Sequence, residues 1–321
     1  MPYSLKYLLV LVMLGSICTA TSAQQPPLPS PPGTIQFMDT LYIDKTEVAN
    51  VHWREFLFYV QRDSGEAVYR EMLPDTSVWF QRNLAQPQTT SIKLTTEYFR
   101  EKEYQLFPVV GINYEQAQAY ARWRSVVVSE LMNQPEQLAK LGIPAGKRVE
   151  VKYRLPTEEE WVAAAAGKLS KEKYPFGQKR YLKKGGNSLN PEQAYKQLDE
   201  PRPSFSSFRK DIVKARIPQF QVVAELPYDF YLAPEYPKAI TDGPSNKQGM
   251  INMIGNVAEM TATPGIAKGG SFMHKLEDSK ISEKQAYEQA TPWLGVRYVA
   301  TIRVVDPEMP VIQESDGVSD F

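Results

Sequence analysis

The stretch Tyr153–Trp161, which reads YRLPTEEEW, contains the clearest helix start in the chain. Thr157 and Glu160 have the T-x-x-E spacing of a capping box, in which both side chains accept hydrogen bonds from free backbone N–H groups of the first turn. Three consecutive glutamates also place negative charge at the positive end of the helix dipole. The stretch therefore predicts a helix that begins after Thr157 and buries the small apolar face of Trp161–Ala166.

Upstream of this stretch, capping residues and apolar periodicity predict two further helices. Asn50 is a candidate cap for a helix over Val51–Val60, and Asn113 for a second helix with Gln116 as its capping-box partner. The core-facing residues of the first helix are Trp53, Phe56, Leu57 and Val60, and those of the second are Ala117, Tyr120, Ala121, Val127, Val128 and Leu131. Before both helices, residues 37–44 alternate as a β-strand.

Residues 167–248 contain few periodic segments. A region of this length is either disordered or a packed loop system, and its aromatic residues favour the packed form. These aromatics are Phe205, Phe208, Phe220, Tyr228, Phe230, Tyr231 and Tyr236. The region also contains a basic run, Lys179-Arg180 and Lys183-Lys184, for which two alternatives are open: a solvated loop, or a site for an anionic surface or partner.

The two ends of the chain are predicted to lie outside the folded domain. Residues 1–23 have one lysine, an apolar run over Tyr7–Leu14 and small residues up to Ala23, which is typical of a secretory signal peptide. The apolar run is too short for a permanent membrane span. The predicted division is a signal peptide over 1–23, a proline-rich linker over 24–35, the domain over 36–305 and a tail over 306–321.

Composition limits the chemistry that the chain can perform. The 37 Lys+Arg and 37 Asp+Glu residues give a net charge of +0, which argues against nucleic acid as the main partner. The only cysteine is Cys18, inside the predicted signal peptide, and Ile17 before it does not fit a lipidation signal. The exported chain is therefore predicted to hold no disulfide, thiolate nucleophile or cysteine-bound metal.

Besides Tyr153–Trp161, four other segments carry motifs. They are Tyr42–Asn50 (YIDKTEVAN), Tyr114–Trp123 (YEQAQAYARW), Gly249–Met260 (GMINMIGNVAEM) and Lys268–Phe272 (KGGSF), the last followed by Gly295–Arg297 (GVR). In this order the segments resemble the formylglycine-generating-enzyme family, also called the sulfatase-modifying-factor family, over most of residues 37–305. The resemblance implies an α+β, C-type-lectin-like fold with few helices, small twisted sheets and long packed loops.

The resemblance also implies a test of catalytic competence. Active members oxidise a substrate cysteine with two copper-binding cysteines that follow the Gly-Gly-Ser-aromatic motif. Here those positions hold His274 and Ser279, and Tyr298 stands where many members have a further cysteine. Because copper(I) prefers paired thiolates, no copper is expected, and the chain is predicted to lack this oxidation activity. The alternative is a metal-dependent oxidase, or an enzyme of the formylglycine-generating type, with an altered active site around His274.

A calcium site is implied by the same resemblance. In the family an Asn-x-x-Gly-Asn-x-x-Glu segment wraps a calcium ion, and here that segment is Asn252–Glu259. The implied ligands are the Asn252 side chain, the carbonyls of Gly255 and Val257, and the Glu259 carboxylate. Such oxygen donors suit a hard cation, and glycine permits the sharp turn. The alternative is a tight turn that asparagine and glutamate hydrogen bonds hold without a metal.

The exported character and the Tyr42–Asn50 segment resemble gliding-motility and type IX secretion-associated members of the family in Bacteroidota. This resemblance implies a non-catalytic structural or binding component of the bacterial cell envelope, in the periplasm or associated with the outer membrane or cell surface. Envelope proteins are the expected partners, and no permanent transmembrane segment is expected. Carbohydrate binding through a lectin-like fold is a further alternative, which rests on fold analogy alone.

Overall fold

The computed structural model describes residues 28–80, 88–185, 190–198 and 201–306. The predicted signal peptide and the chain beyond residue 306 lie outside these residues, so the predicted domain limits stay predictions. The helices are α1 (Asn50–Glu71), α2 (Gln88–Glu97), α3 (Tyr114–Met132), α4 (Pro135–Lys140), α5 (Glu158–Ala166), α6 (Pro191–Lys196) and α7 (Phe205–Lys214). The first strands are β1 (Thr34–Met38), β2 (Leu41–Asp44), β3 (Arg148–Arg154), β4 (Leu182–Lys184), β5 (Arg216–Pro218) and β6 (Ala224–Leu226). The later strands are β7 (Phe230–Leu232), β8 (Ala258–Met260), β9 (Ile266–Lys268), β10 (Gln285–Ala286), β11 (Leu294–Gly295) and β12 (Val299–Val305).

The strands form small separate sheets. The largest has the order β1-β2-β12-β3 and is antiparallel throughout. A second sheet has the order β10-β9-β8-β11, in which β11 pairs parallel to β8. Two antiparallel two-stranded sheets, β4-β5 and the β6-β7 hairpin, complete the strands. The predicted α+β class, with few helices, small sheets and long loops, is confirmed. Within the described part of the chain, no helix is long and apolar enough to cross a membrane.

Helix α3 covers the β3 edge of the main sheet. The side chains of Ser125, Ser129 and Asn133, each four residues apart, accept hydrogen bonds from the N–H groups of the edge strand β3 at 2.8, 2.9 and 2.9 Å. These bonds pair backbone groups that an edge strand otherwise leaves open to association with another chain. On the neighbouring face of α3, Tyr120 stacks on Trp53 of α1 with ring centroids 5.1 Å apart.

The structure confirms two predicted helix starts and corrects a third. Asn113 and Thr157 cap α3 and α5 through complete capping boxes with Gln116 and Glu160. For α1 the cap is Ala49, whose N–H donates to His52 Nδ1 over 3.2 Å. The predicted cap, Asn50, instead lies inside the helix and is buried. Its amide donates to the carbonyls of Tyr98 and Tyr104 at 2.9 and 3.0 Å, so it joins distant segments.

Three further expectations differ from the structure. The single strand expected over residues 37–44 is a hairpin of β1 and β2, since the chain turns between Met38 and Leu41. Helix α1 continues beyond Val60 to Glu71, with a break at Gly65, whose φ of +84° suits glycine. In α3 the predicted core residue Leu131 is 52% exposed, while its neighbour Met132 is 7% exposed and closes the apolar stripe.

The middle of the chain forms a small packed lobe, which we call the α7 lobe and define as α6, α7 and strands β4–β7. Its own apolar cluster comprises Ala194, Leu198, Phe208, Ile212, Ile217, Leu226 and Phe230. The packed alternative is therefore confirmed for these residues, with more regular structure than the sequence predicts. Three of the predicted packing aromatics, Phe205, Tyr228 and Tyr231, are exposed.

Candidate functional site

A buried ion pair lies where the predicted motifs meet. Arg297 and Glu259 are both fully buried, and the Arg297 guanidinium lies 2.7 Å from Glu259 Oε1. The other Glu259 oxygen accepts a 2.7 Å hydrogen bond from the indole N–H of Trp161. Arg297 also donates to the backbone carbonyls of Asp44 and Ile251 at 2.8 and 2.7 Å. These bonds join segments from both ends and the middle of the chain, and they satisfy charges that burial would otherwise make costly.

A second buried carboxylate, Glu47, lies beside this pair. Its Oε2 is 3.9 Å from the Arg297 guanidinium, and its two oxygens accept hydrogen bonds from the amides of Asn256 and Asn252 at 2.9 and 3.3 Å. Burial raises the pKa of Glu47 to about 7, because the loss of hydration outweighs the attraction of Arg297. Near neutral pH, Glu47 therefore holds a proton for a substantial fraction of the time.

The turn that presents these amides needs particular residues. Asn252, Gly255 and Asn256 have φ angles of +57°, +76° and +63°. Asparagine tolerates this left-handed region better than other non-glycine residues. At Gly255 a Cβ would approach the Gln221 carbonyl oxygen to 2.7 Å, so only glycine fits without a shift. The predicted tight turn thus follows from the residue types at these positions.

The predicted calcium ligands occupy different surroundings. Asn252 faces Glu47, and Val257 packs in the aromatic cluster around Trp79 and Phe272. Both Glu259 oxygens already accept hydrogen bonds from donors, one of them cationic. For Glu259 to bind calcium, it would have to exchange Arg297 or Trp161 for the ion, so this donor set suits the arginine pair better than a calcium ion. Calcium binding by Asn252, Gly255, Val257 and Glu259 stays a prediction.

The Gly-Gly-Ser loop follows β9 and packs closely on its neighbours. Gly269 and Gly270 have φ angles of +97° and +66°. A Cβ on Gly270 would lie 2.0 Å from the Ser279 hydroxyl, so a larger residue would push the two segments apart. The Ser271 side chain is buried, and its Oγ accepts a 3.1 Å hydrogen bond from the Met273 N–H.

His274 stands at the first of the two positions that hold copper-binding cysteines in active members of the family that the motifs resemble. Two neighbours hold its side chain in place. Its Nδ1 lies 2.6 Å from Ser271 Oγ, and its ring packs edge to face against Trp293 at 4.8 Å. The Ser271 hydroxyl has one proton and two lone pairs, so it can donate to Nδ1 or accept from it while it accepts from the Met273 N–H. Burial lowers the pKa of His274, although nearby Asp278 acts in the opposite direction. The imidazole is therefore neutral at physiological pH.

The other two substituted positions are also bound to the protein itself. Ser279 is fully buried and donates a 2.9 Å hydrogen bond to the Lys275 carbonyl. Tyr298 is a core residue, which stacks on Tyr120 at 5.4 Å and donates to the Ala117 carbonyl over 2.7 Å. His274 and Ser279 bond to different partners and not to each other.

Neither His274 nor Ser279 lines either of two surface clefts of the described residues. A cleft of about 380 Å³ is bordered by Phe107 and Tyr236, and one of about 780 Å³ by Asp75 and Glu115; neither His274 nor Ser279 borders them. Within residues 28–80, 88–185, 190–198 and 201–306, no three His, Cys, Asp or Glu side chains are grouped so that they could hold a metal ion.

Sequence reasoning missed two features of this site. The roles of Glu47 and Arg297 were not predicted, although both residues lie in the quoted motifs, because the partners that bury them lie far away in the sequence. The contact of His274 with Trp293 had no local signal, because the two residues lie on separate loops.

The family is established by comparison with family models. The sulfatase-modifying factor enzyme 1-like domain matches residues 7–302, so the chain belongs to this family and the resemblance predicted from the motifs is confirmed. No curated protein matches the chain.

Solved structures of similar proteins include three that the chain covers over most of its length. PvdO from Pseudomonas aeruginosa is 14% identical, with 83% of this chain and 82% of PvdO covered and a TM-score of 0.42. CarF is 15% identical, with coverages of 84% and 93% and a TM-score of 0.35. Treponema denticola variable protein 1 is 12% identical, with coverages of 85% and 92% and a TM-score of 0.38.

Proposed function

We propose that this protein is an exported, non-catalytic member of its family that acts as a structural or binding component of the bacterial cell envelope. One observation carries the proposal: the two positions that hold copper-binding cysteines in active members are His274 and Ser279. Copper(I) prefers paired thiolates, and an imidazole and a hydroxyl do not replace them. Redox chemistry of the family's kind would lack its metal ligands.

The surroundings of both side chains support the proposal. His274 is engaged by Ser271 and Trp293, and Ser279 by the carbonyl of Lys275. Each side chain thus stabilises its own loop, and neither opens into the two clefts described above. By contrast, the buried ion pair of Glu259 and Arg297 and the adjacent Glu47, which join the motifs, have their charged groups bonded to one another and to neighbouring amides.

The proposed place of action is the periplasm, the outer membrane or the cell surface. Envelope proteins are the proposed partners, as in gliding-motility or type IX secretion assemblies. The signal-like sequence of residues 1–23 supports export. The clefts offer surfaces for a partner, and Phe80 at the larger one is 60% exposed.

Site-specific photo-cross-linking in the native cell tests this proposal. A cross-linking residue is placed at Phe80 or at Ala239, which border the two clefts, and at exposed Lys140 on α4 as the matched control. We expect discrete adducts with envelope proteins from a cleft position and none from Lys140. If all three positions give no adduct while the protein is abundant in envelope fractions, the binding role is contradicted.

The alternative function, a metal-dependent oxidase with an altered site, is favoured by one observation only. His274 is neutral, and its Nε2 has no hydrogen bond among the described residues, so in the tautomer with the ring proton on Nδ1 this nitrogen has a free lone pair for a metal. Elemental analysis of the purified protein separates the two functions. Stoichiometric iron or copper that is lost in His274→Ala supports the oxidase, and its absence in both proteins supports the non-catalytic role.

A further inference from the structure

The α7 lobe has a basic surface around the C-terminal end of α7. Six exposed cations form it, and we call them the basic cluster: Lys183, Lys184, Arg209, Lys210, Lys214 and Arg216. None of the six forms a salt bridge with a described residue. Asp211, the one acidic residue of α7, is instead bound by the Tyr228 hydroxyl. Because the whole chain has a net charge of +0, this is a local concentration of positive charge.

The backbone brings the members of the basic cluster together. Only Ala215 separates the end of α7 from the start of β5. The carbonyl of Ala215 accepts a 2.7 Å hydrogen bond from the N–H of Gly185, which directly follows β4. The antiparallel register of β4 and β5 then places Lys184 directly opposite Arg216. The β4-β5 cations and those of the last turns of α7 therefore surround one end of the helix.

The fold itself does not account for this arrangement. Like charges directly opposite each other on paired strands destabilise the pairing. A cation in the last turn of a helix is favourable for the dipole, but this explains Lys214 and not the others. A partner of negative charge would attract both Lys184 and Arg216 and so offset the repulsion between them.

Exposed apolar side chains lie beside these charges. Phe205, Arg209 and Val213 are four residues apart and form one stripe along α7, in which Phe205 and Val213 are each 37% exposed. Lys210 and Lys214 lie on the adjacent stripe. Cations next to exposed apolar residues on a helix match the interface of an anionic bilayer, where phosphates bind the cations and apolar side chains enter the acyl boundary. A nucleic acid backbone would leave Phe205 and Val213 in water.

We infer that the basic cluster is a docking surface for a membrane that contains anionic phospholipid. The inference goes beyond the proposed function and does not depend on it: the protein could bind partners without touching lipid, and could touch lipid whether or not it catalyses a reaction. It selects the second of the two alternatives left open for the basic run at Lys183-Lys184.

Vesicle co-sedimentation of the purified protein tests the inference. We expect binding to vesicles of phosphatidylcholine mixed with phosphatidylglycerol, none to phosphatidylcholine alone, and release at high salt because salt screens the attraction. Replacing two cations in Lys184→Gln/Arg216→Gln should lower the partition coefficient by about thirtyfold. The control Arg122→Gln/Lys140→Gln removes the same charge from α3 and α4 and should bind like the wild type.

Two outcomes would overturn the inference. The first is an equal loss in both double variants, which would show that only net charge matters. The second is duplex DNA that competes with the vesicles at matched phosphate concentration, which would indicate a general polyanion site. Val213→Ser tests whether the apolar stripe enters the acyl boundary of the bilayer. We expect weaker vesicle binding with an unchanged salt dependence. Unaltered binding would contradict the role of the apolar stripe.

Discussion

Arg297 is the cation that faces the two buried carboxylates of the site, Glu259 and Glu47. It lies 2.7 Å from Glu259 and 3.9 Å from Glu47, and all three side chains are essentially inaccessible to water. In Arg297→Met the volume is kept but the charge is lost, so a buried carboxylate is left without its cation. We predict a loss of about 3–5 kcal/mol in the free energy of unfolding, measured by urea denaturation.

The matched control for this prediction is Arg303→Met, which removes an exposed arginine paired with Glu150. Surface ion pairs contribute about 0–1 kcal/mol, so the control should unfold almost like the wild type. Similar losses in the two variants would contradict the account of the buried network.

Glu47 should make stability depend on pH. Its pKa is about 7 in the folded protein and 4.5 as the ordinary value, so between these pH values the folded chain holds a proton that the unfolded chain has released. Stability therefore falls as the pH rises through this window, by on the order of 3 kcal/mol in total. Glu47→Gln cannot titrate and should show a smaller fall over the same range. Parallel stability–pH curves for the two proteins would be evidence against the raised pKa.

The calcium prediction needs a test that leaves Glu259 in place, because Glu259→Ala would also remove the partner of Arg297. Metal that binds only the folded chain raises its melting temperature by mass action. If Asn252, Gly255, Val257 and Glu259 bind calcium, the wild-type protein should melt at a higher temperature with calcium than with a chelator, and magnesium should have less effect. Identical melting under all three conditions would reject the calcium site.

At the scale of secondary-structure elements, α3 offers a direct test of helix register. Met132 is 7% exposed and packs in the main core, whereas Leu131 is 52% exposed. We predict that Met132→Ala lowers the free energy of unfolding by about 2–5 kcal/mol. Leu131 is of similar size but lies on the solvent side, so Leu131→Ala should change that free energy by about 0.5 kcal/mol or less. The reverse order in urea denaturation would mean that the stripe expected from the sequence is the correct one.

The elements also show where local sequence is sufficient. The starts of α3 and α5 were predictable, because a capping box is completed by residues three positions apart. Asn50 has the residue type of a cap, but its amide is used by carbonyls 48 and 54 residues away. The β1-β2 turn was missed because apolar residues on both strands continue the alternation across it.

For the whole molecule, the ordered motifs were sufficient for the family and the fold class, whereas the buried network was not predictable. The hydrogen bonds of Asn252 and Asn256 to Glu47 span 205 and 209 residues, and that of Arg297 to Glu259 spans 38. No periodicity connects such residues, so only the folded chain brings them together. The substitutions His274 and Ser279 could be read directly from the sequence, but their hydrogen bonds could not.

The central claim, that this chain keeps the family's fold without its oxidation chemistry, is tested most directly by turnover. The purified protein is loaded with copper(I) and incubated with oxygen and a cysteine-containing peptide, and the peptide is followed by mass spectrometry. The account predicts that the cysteine remains unmodified, since no thiolate pair is present at positions 274 and 279. Conversion of the peptide cysteine to formylglycine by the wild-type protein, and its loss in His274→Ala, would contradict the claim.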